Sequence, residues 1–262
     1  MSFEERLVSY EKKNRVAHIK LNRPHVLNAM NVATMSAIAE AVTRFQDDPD
    51  AWAAILSGEG KGFCVGGDLK EALTLLEGPP RSFYDLPRQG LAAIDLVARS
   101  KKPIIAAVHG FCMAGGLLLA NACHLIIAAE STTFAMPEVA IGMPTLGYFD
   151  LWKTIGTRSL LELVLTGQSF TAQKALEMGL INRMVPEERV FQEAIALAEI
   201  ITKNSPLSVS AHLEAIRFSV KYDSEVLNDA ASYIWDRVIF SKDLKEGLSA
   251  FKEKRPPQWL NR

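Results

Sequence analysis

Ile104-Ile-Ala-Ala-Val108-His109-Gly110-Phe-Cys-Met-Ala114-Gly115-Gly116 opens on a continuous apolar run after Pro103, breaks at glycine, and continues into the wholly apolar Leu117 to Ala120. Such a run suits a central strand covered on both faces. The glycines open a loop, and an apolar helix follows. A related pattern lies upstream. Ala53 to Ser57 reads as a short buried strand, Gly58-Glu-Gly-Lys-Gly62 breaks it, and Gly62-Phe-Cys-Val-Gly66-Gly67-Asp68-Leu69 forms a second glycine loop. Cys123 to Ala129 reads as another buried strand, and Val16 to Leu21 as one with imperfect alternation. Asn31 to Phe45 reads as an amphipathic helix, because Met35, Ile38, Val42 and Phe45 fall at helical spacing.

Gly78-Pro79-Pro80 marks a break before a helix expected at about Ser82 to Ser100. The second half reads as mostly helix. Pro186 suits a first helical residue, with Val190, Ala194, Leu197 and Ile201 on one face. Asn204-Ser-Pro206 starts the next helix, facing inward through Val209, Leu213, Ile216 and Val220. Ser224 is a cap for a third, carrying Val226, Ala230, Tyr233 and Val238, and a last helix runs from about Asp243 to Lys252. The expected class is α/β, with a core over residues 1–200 and a helical region over 201–262.

Composition removes several functions. Of 262 residues, 48% are hydrophobic and 23% charged, which is the balance of a globular chain. Lys+Arg 29 against Asp+Glu 30 leaves no basic excess for nucleic acid, and Arg99-Ser-Lys101-Lys102 is too short a patch to change that. Cys64, Cys112 and Cys123 make neither a disulfide framework nor a Cys-x-x-Cys metal site, so they are expected as thiols of a cytoplasmic protein. The acidic start does not read as a signal peptide, no apolar run is long enough for a membrane span, and the end carries no lipidation or peroxisomal signal. His18, His25, His109, His124 and His212 are dispersed and read as structural. There is no Gly-x-Ser-x-Gly, His-Glu-x-x-His, Walker loop or Gly-x-Gly-x-x-Gly, so metal chemistry and a Ser-His-Asp hydrolase are disfavoured.

What remains is two glycine loops and one acid. Glycine lets a ligand approach the backbone closely, and one N–H from each loop could converge on one oxygen. The Gly115 N–H would also sit at a helix start, where the dipole favours negative charge. Glycine spacing alone favours the alternative, two tight turns with a helix close to a strand. Phe134-Ala-Met-Pro137-Glu138-Val-Ala-Ile-Gly142-Met-Pro144 sets a single carboxylate in an apolar segment. Burial there would make Glu138 a better base, whereas a solvated loop acid is the commoner fate of Glu.

Several stretches together carry a resemblance: Leu21-Asn-Arg-Pro24 with Leu27-Asn-Ala-Met30, Gly62 to Lys70, Lys102 to Gly116 and Phe134 to Pro144. Leu165-Thr-Gly167, Ala175 to Ile181 and Phe251-Lys-Glu-Lys-Arg255 continue it. In this order and spacing the sequence resembles the crotonase (enoyl-CoA hydratase/isomerase) superfamily over nearly its whole length. The resemblance implies a spiral of ββα units with C-terminal helices that trimerise, as a homotrimer or a dimer of trimers. It implies an acyl-CoA thioester as substrate, with no cofactor beyond the coenzyme A that enters with it; composition and motifs give the expectation of no metal, no nucleic acid and no membrane. It places the oxyanion hole on the Gly67 and Gly115 N–H groups. It maps the coenzyme A and acyl site to Arg23, His25, Val26, Leu27, Val65, Gly66, Asp68, Leu69, Lys70 and Leu118. Phe251 and Lys254 match tail residues that reach the nucleotide end, often from a neighbouring subunit. The bland reading of Lys70 and Lys254 is solvated surface charge.

One departure bears on the reaction. Hydratases of this family use two glutamates. Glu138 matches the second, and Leu118 stands where the first would be. Adding water needs a group to orient and deprotonate it, which Leu118 cannot do. Moving a double bond from Δ3 to Δ2 needs one base to take the C2 proton and return it at C4. In this the sequence resembles mitochondrial-type Δ3,Δ2-enoyl-CoA isomerases, as does Trp152-Lys-Thr-Ile-Gly-Thr-Arg158. Two alternatives stay open. Tyr148 or Asp150, in Thr145-Leu-Gly-Tyr-Phe-Asp150, could supply a second group for a hydratase or dehydratase, and Glu246 to Trp259 resembles carnitinyl-CoA dehydratases. A catalytically silent protein that binds coenzyme A or RNA is the other.

Overall fold

The structure, a computed structural model, describes residues 6–78, 90–143, 151–221 and 233–262. β1 (Val8–Lys13) and β2 (Val16–Leu21) pair antiparallel, and the chain reverses through Asn14 at φ 54°. α1 (Val32–Asp47) starts where the Asn31 side chain accepts the Thr34 N–H, and it buries Met35, Ile38, Val42 and Phe45. β3 (Ala53–Gly58) is buried throughout and leads by the first glycine loop to α2 (Leu69–Leu76). Residues 90–98 are helical (α3). β4 (Ile104–Val108), β5 (Phe111–Met113) and α4 (Gly115–Ala122) follow without a break. After them come β6 (Leu125–Ala129), β7 (Thr133–Ala135), α5 (Trp152–Ile155), α6 (Thr157–Thr166), β8 (Ser169–Thr171), α7 (Ala172–Glu177) and β9 (Arg183–Val185). The helical end comprises α8 (Val190–Thr202), α9 (Pro206–Lys221), helical residues 233–239 (α10) and α11 (Lys242–Glu253).

The main sheet has the order β1-β2-β3-β4-β6-β9, parallel except at β1. Its central strands β3 and β4 are buried on both faces, as their apolar sequence requires, while the edge strands β1 and β9 are partly exposed. Ala54, Leu56, Ile104, Ala106 and Val108 face the core that holds α1 and α4. Ala53, Ile55, Ile105, Ala107 and Ile127 face the core that holds α8. A smaller sheet, β5-β7-β8, stands beside it, with β5 parallel to β7.

Four expectations shift, the first on α9, where Ile216 and Val220, expected to face inward, are exposed at 61% and 46%. Phe111–Met113, read as loop, is a strand, because β7 and a bridge between Cys64 and Cys112 supply its backbone partners. Pro186 precedes a single 3-10 turn, Glu187–Arg189, and α8 begins only at Val190. On α8 the innermost residues are Val190, Ala194 and Ala198, while Leu197 and Ile201 are partly buried beside them. The expected cap Ser224 and the first part of the helix at Ser82 to Ser100 lie outside the described residues.

The chain end folds back on the helices. Buried Asp243 accepts the Leu260 and Asn261 N–H groups on Oδ1 and the Ser205 hydroxyl on Oδ2. The Trp259 indole donates to the Lys203 carbonyl at 2.7 Å. Among the described residues no helix is long and apolar enough to cross a membrane, and no three His, Cys, Asp or Glu side chains cluster as a metal site.

Candidate active site

The two glycine loops are stitched together by backbone. The Cys64 N–H donates to the Phe111 carbonyl, and the Met113 N–H to the Cys64 carbonyl. Gly66, at φ 98°, lies so close to the second loop that a Cβ on it would be 2.7 Å from the Ala114 Cβ. Ala114 itself takes φ 49°, a left-handed value, to turn the chain from β5 into α4. A Cβ on Gly116 would be 2.1 Å from the Cys64 carbonyl oxygen. Gly66 and Gly116 are therefore the close-packing glycines of the tight-turn alternative.

Gly67 and Gly115 behave differently. A Cβ on Gly67 would meet nothing within 4 Å. The Met30 N–H donates to the Gly66 carbonyl, and the Asp68 N–H donates to the Met30 carbonyl. Alternation along that extended stretch turns the Gly67 N–H away from Met30. The Gly115 N–H belongs to the first turn of α4, where an amide has no intrahelical acceptor and the helix dipole is positive. A Cβ on Gly115 would be 3.7 Å from the Gly67 nitrogen, so the two amides are neighbours.

Both glycines line one cavity of about 390 Å³. Met30, Met35, Leu91, Ile94 and Leu118 give it apolar walls. Glu138 is the single ionisable side chain among the described residues that line it. The carboxylate sits in the 3-10 turn Pro137–Ile141, which closes on Gly142 at φ 71°. That turn follows β7, and β7 pairs with β5. The Ala114 N–H donates to the Ala135 carbonyl at 2.9 Å, so the strand ends that carry Gly115 and Glu138 are held side by side. Glu138 is half-buried, with Oε2 out of reach of solvent. Leu118, on the first turn of α4, is 8% exposed.

Over residues 11–262 the chain matches the family model described as enoyl-CoA hydratase/isomerase.

This protein belongs to the enoyl-CoA hydratase/isomerase family.

Its relatives include a Dictyostelium discoideum protein named probable enoyl-CoA hydratase, mitochondrial, 38% identical, with 96% of this chain and 90% of that one covered. Another is the mevalonyl-coenzyme A hydratase of Aspergillus fumigatus, 34% identical, covering 92% and 90%. Among solved structures, the enoyl-CoA hydratase of Bacillus anthracis superposes with a TM-score of 0.93 at 31% identity, covering 98% of this chain and all of that one. The fold is crotonase-like, and the chain is an acyl-CoA enzyme of this enoyl-CoA hydratase/isomerase family.

Of the residues expected in the family's acyl-CoA site, Val65, Gly67, Leu69, Gly115, Leu118 and Glu138 line the cavity. Gly66 packs behind it. Arg23 and Asp68 do not line it; they pair with each other, Nη2 to Oδ2 at 3.0 Å. His25 is exposed on the 3-10 turn Pro24–Val26, and Leu27 takes φ 52° just after it. Lys70 is exposed on α2, Phe251 is 85% exposed on α11, and Lys254 caps α11 at φ 54°. Tyr148 and Asp150 lie outside the described residues. Sequence reasoning missed Met30, Met35, Leu91 and Ile94 as lining residues. Met30 carried no signal of its own: its backbone pairs with Gly67, and nothing in its apolar neighbourhood announced that pairing.

The remaining titratable candidates are structural. Burial pushes the Cys64 thiol up to about 12, and Cys112 and Cys123 upward likewise, so none is a thiolate nucleophile near neutrality. Burial lowers His18 and His124 to about 4. His18 pairs with the Ser57 hydroxyl at 2.8 Å, and His124 Nδ1 accepts the Ile104 N–H.

Proposed function

We propose that the protein shifts a double bond from the 3,4 to the 2,3 position of an enoyl-CoA, with Glu138 as its single acid/base. The observation that carries this reading is the cavity's chemistry: one carboxylate, two neighbouring backbone amides and otherwise apolar described walls. The thioester oxygen sits between the Gly67 and Gly115 N–H groups. Glu138 removes a C2 proton, and the electron pair passes into the thioester carbonyl as a dienolate. Collapse of that dienolate forms the C2–C3 double bond as C4 takes the proton back from Glu138. The negative charge that develops on oxygen is stabilised by the two amides and the α4 dipole, an arrangement in which losing one donor typically costs about 100- to 1000-fold. Leu118 keeps water from the intermediate.

The acyl-CoA enters past Val65 and Leu69. Lys70, on the exposed first turn of α2, is a phosphate partner, and Arg23 to Leu27 flank the same edge. Phe251 and Lys254 complete the nucleotide end across a homo-oligomer, which accounts for a phenylalanine 85% exposed in the single chain.

A second reading, hydration of the conjugated enoyl-CoA, is favoured by the names of the relatives. It needs a second group from residues such as Tyr148 or Asp150. The test is absorbance of the conjugated thioester with 3-hexenoyl-CoA and, separately, crotonyl-CoA, beside Glu138→Gln. A rise with the first, little loss with the second and silence in the variant support isomerisation. Rapid loss with crotonyl-CoA overturns it.

A further inference from the structure

We infer that Arg23 and Asp68, expected as ligand contacts, form a positioning clamp that aims the Gly67 N–H. The inference rests on the oxyanion reading of Gly67 and Gly115. Its starting point is that Gly67 is held by one isolated backbone bridge, to Met30, between segments far apart in sequence. Two hydrogen bonds make that bridge; before it the Val65 N–H donates to the Leu27 carbonyl at 3.2 Å, and beyond Asp68 no ladder continues among the described residues to keep it in register. The Arg23 guanidinium spans it. Nη1 donates to the Ala29 carbonyl, one residue before Met30. Nη2 donates to Asp68 Oδ2, one residue after Gly67. Both side chains are largely buried, at 12% and 14% exposure. A planar fork with two fixed donors suits this task, and an ammonium does not.

Each end of the clamp is anchored in turn. The Arg23 N–H donates to Asn28 Oδ1, and the buried Asn28 side chain donates to the Glu59 and Gly62 carbonyls, which fixes the first loop's start. Asp68 Oδ1 caps α2 by accepting the Lys70 and Glu71 N–H groups. Glu71 reaches across to accept the Val32 N–H at the head of α1. Burial works to raise the Asp68 carboxyl, but Arg23 and the capping amides hold it below its ordinary value. The pair is thus ionised and internally satisfied, with its charge directed at the backbone around Gly67 rather than at solvent.

A ligand contact and a positioning clamp differ in what they change. The probe is butyryl-CoA labelled with carbon-13 at the thioester carbonyl. It is saturated, so the enzyme binds it without turning it over. Infrared spectroscopy reads the bound carbonyl stretch, which falls as hydrogen bonds to the oxygen strengthen. The expected result is that Arg23→Gln and Asp68→Asn lose most of the downshift seen in the native protein. Both also lower kcat about 10- to 100-fold, the range for a misplaced group, with KM changed less than about threefold. Arg23→Lys restores little, because it loses the fork. The double variant is no worse than either single one, as for a coupled pair. Raised KM with kcat and the carbonyl stretch unchanged overturns the clamp and returns both residues to ligand binding. A variant that fails to fold, checked by thermal unfolding, is replaced by Asp68→Glu, for which the same stretch decides. If the native protein itself shows no downshift, the oxyanion reading fails, and the clamp with it.

Discussion

Gly66 and Gly115 touch through their backbones: a Cβ built on Gly66 would lie 2.9 Å from the Gly115 nitrogen. The strand-to-loop turn after β3 and the head of α4 are therefore one structural unit, and Gly67 and Gly115, which line the cavity, inherit their spacing from this contact. Gly66→Ala would force that contact apart and place an L side chain at φ 98°. It is expected to cost about 2 kcal/mol or more of unfolding free energy and most of the activity. Urea unfolding and turnover on the same preparation check this.

Gly67→Ala separates site from scaffold. Its added methyl would meet nothing within 4 Å. Stability is expected to stay within about 0.5 kcal/mol of native, while the methyl occupies cavity space and activity falls. Gly116→Ala should do the reverse by acting through the fold, since its Cβ would press on the Cys64 carbonyl at 2.1 Å. A loss of stability at Gly67 matching that at Gly116 would contradict the distinction.

Leu118→Glu puts a second carboxylate into the cavity wall. It is expected to bring hydration of crotonyl-CoA above the native level, at a stability cost of about 3 kcal/mol for an acid set among apolar side chains. The absorbance loss with crotonyl-CoA and the unfolding midpoint are the two readouts.

Much of this architecture is legible in the amino-acid sequence. Gly62 to Leu69 and Gly110 to Gly116 stand out because glycine interrupts apolar runs, and α1 because Met35, Ile38, Val42 and Phe45 share a face. The three-residue strands β5, β7 and β8 are not legible, because three residues are too few to show a period. Nor is the role of Arg23. Its partner Asp68 is 45 residues away, and only folding reveals that the two side chains pair. Gly66 and Gly67 are adjacent and identical in sequence, yet one is a packing glycine and the other faces a cavity, a difference set by neighbours that no spacing rule encodes.

Stability should fall as the pH drops from neutrality. His18 and His124 have an ordinary value of 6.5 and sit near 4 in the fold. The unfolded chain then takes up protons first, so the stability from keeping both rings neutral is present above about 6.5 and lost as the pH falls through about 4. At about 1.4 kcal/mol per pKa unit, each contributes on the order of 3 kcal/mol across that window. Urea midpoints at pH 7 and 4.5 measure the loss, and His18→Phe should flatten it.

The most direct test of a single carboxylate acting at both carbons follows the proton itself. 3-Hexenoyl-CoA carrying deuterium at C2 is turned over in water enriched in oxygen-18, and the product is read by NMR and mass spectrometry. Transfer by Glu138 alone gives a 2-enoyl product with part of the deuterium at C4 and no heavy oxygen on the chain. A 3-hydroxyacyl product carrying oxygen-18, with no deuterium at C4, would contradict it.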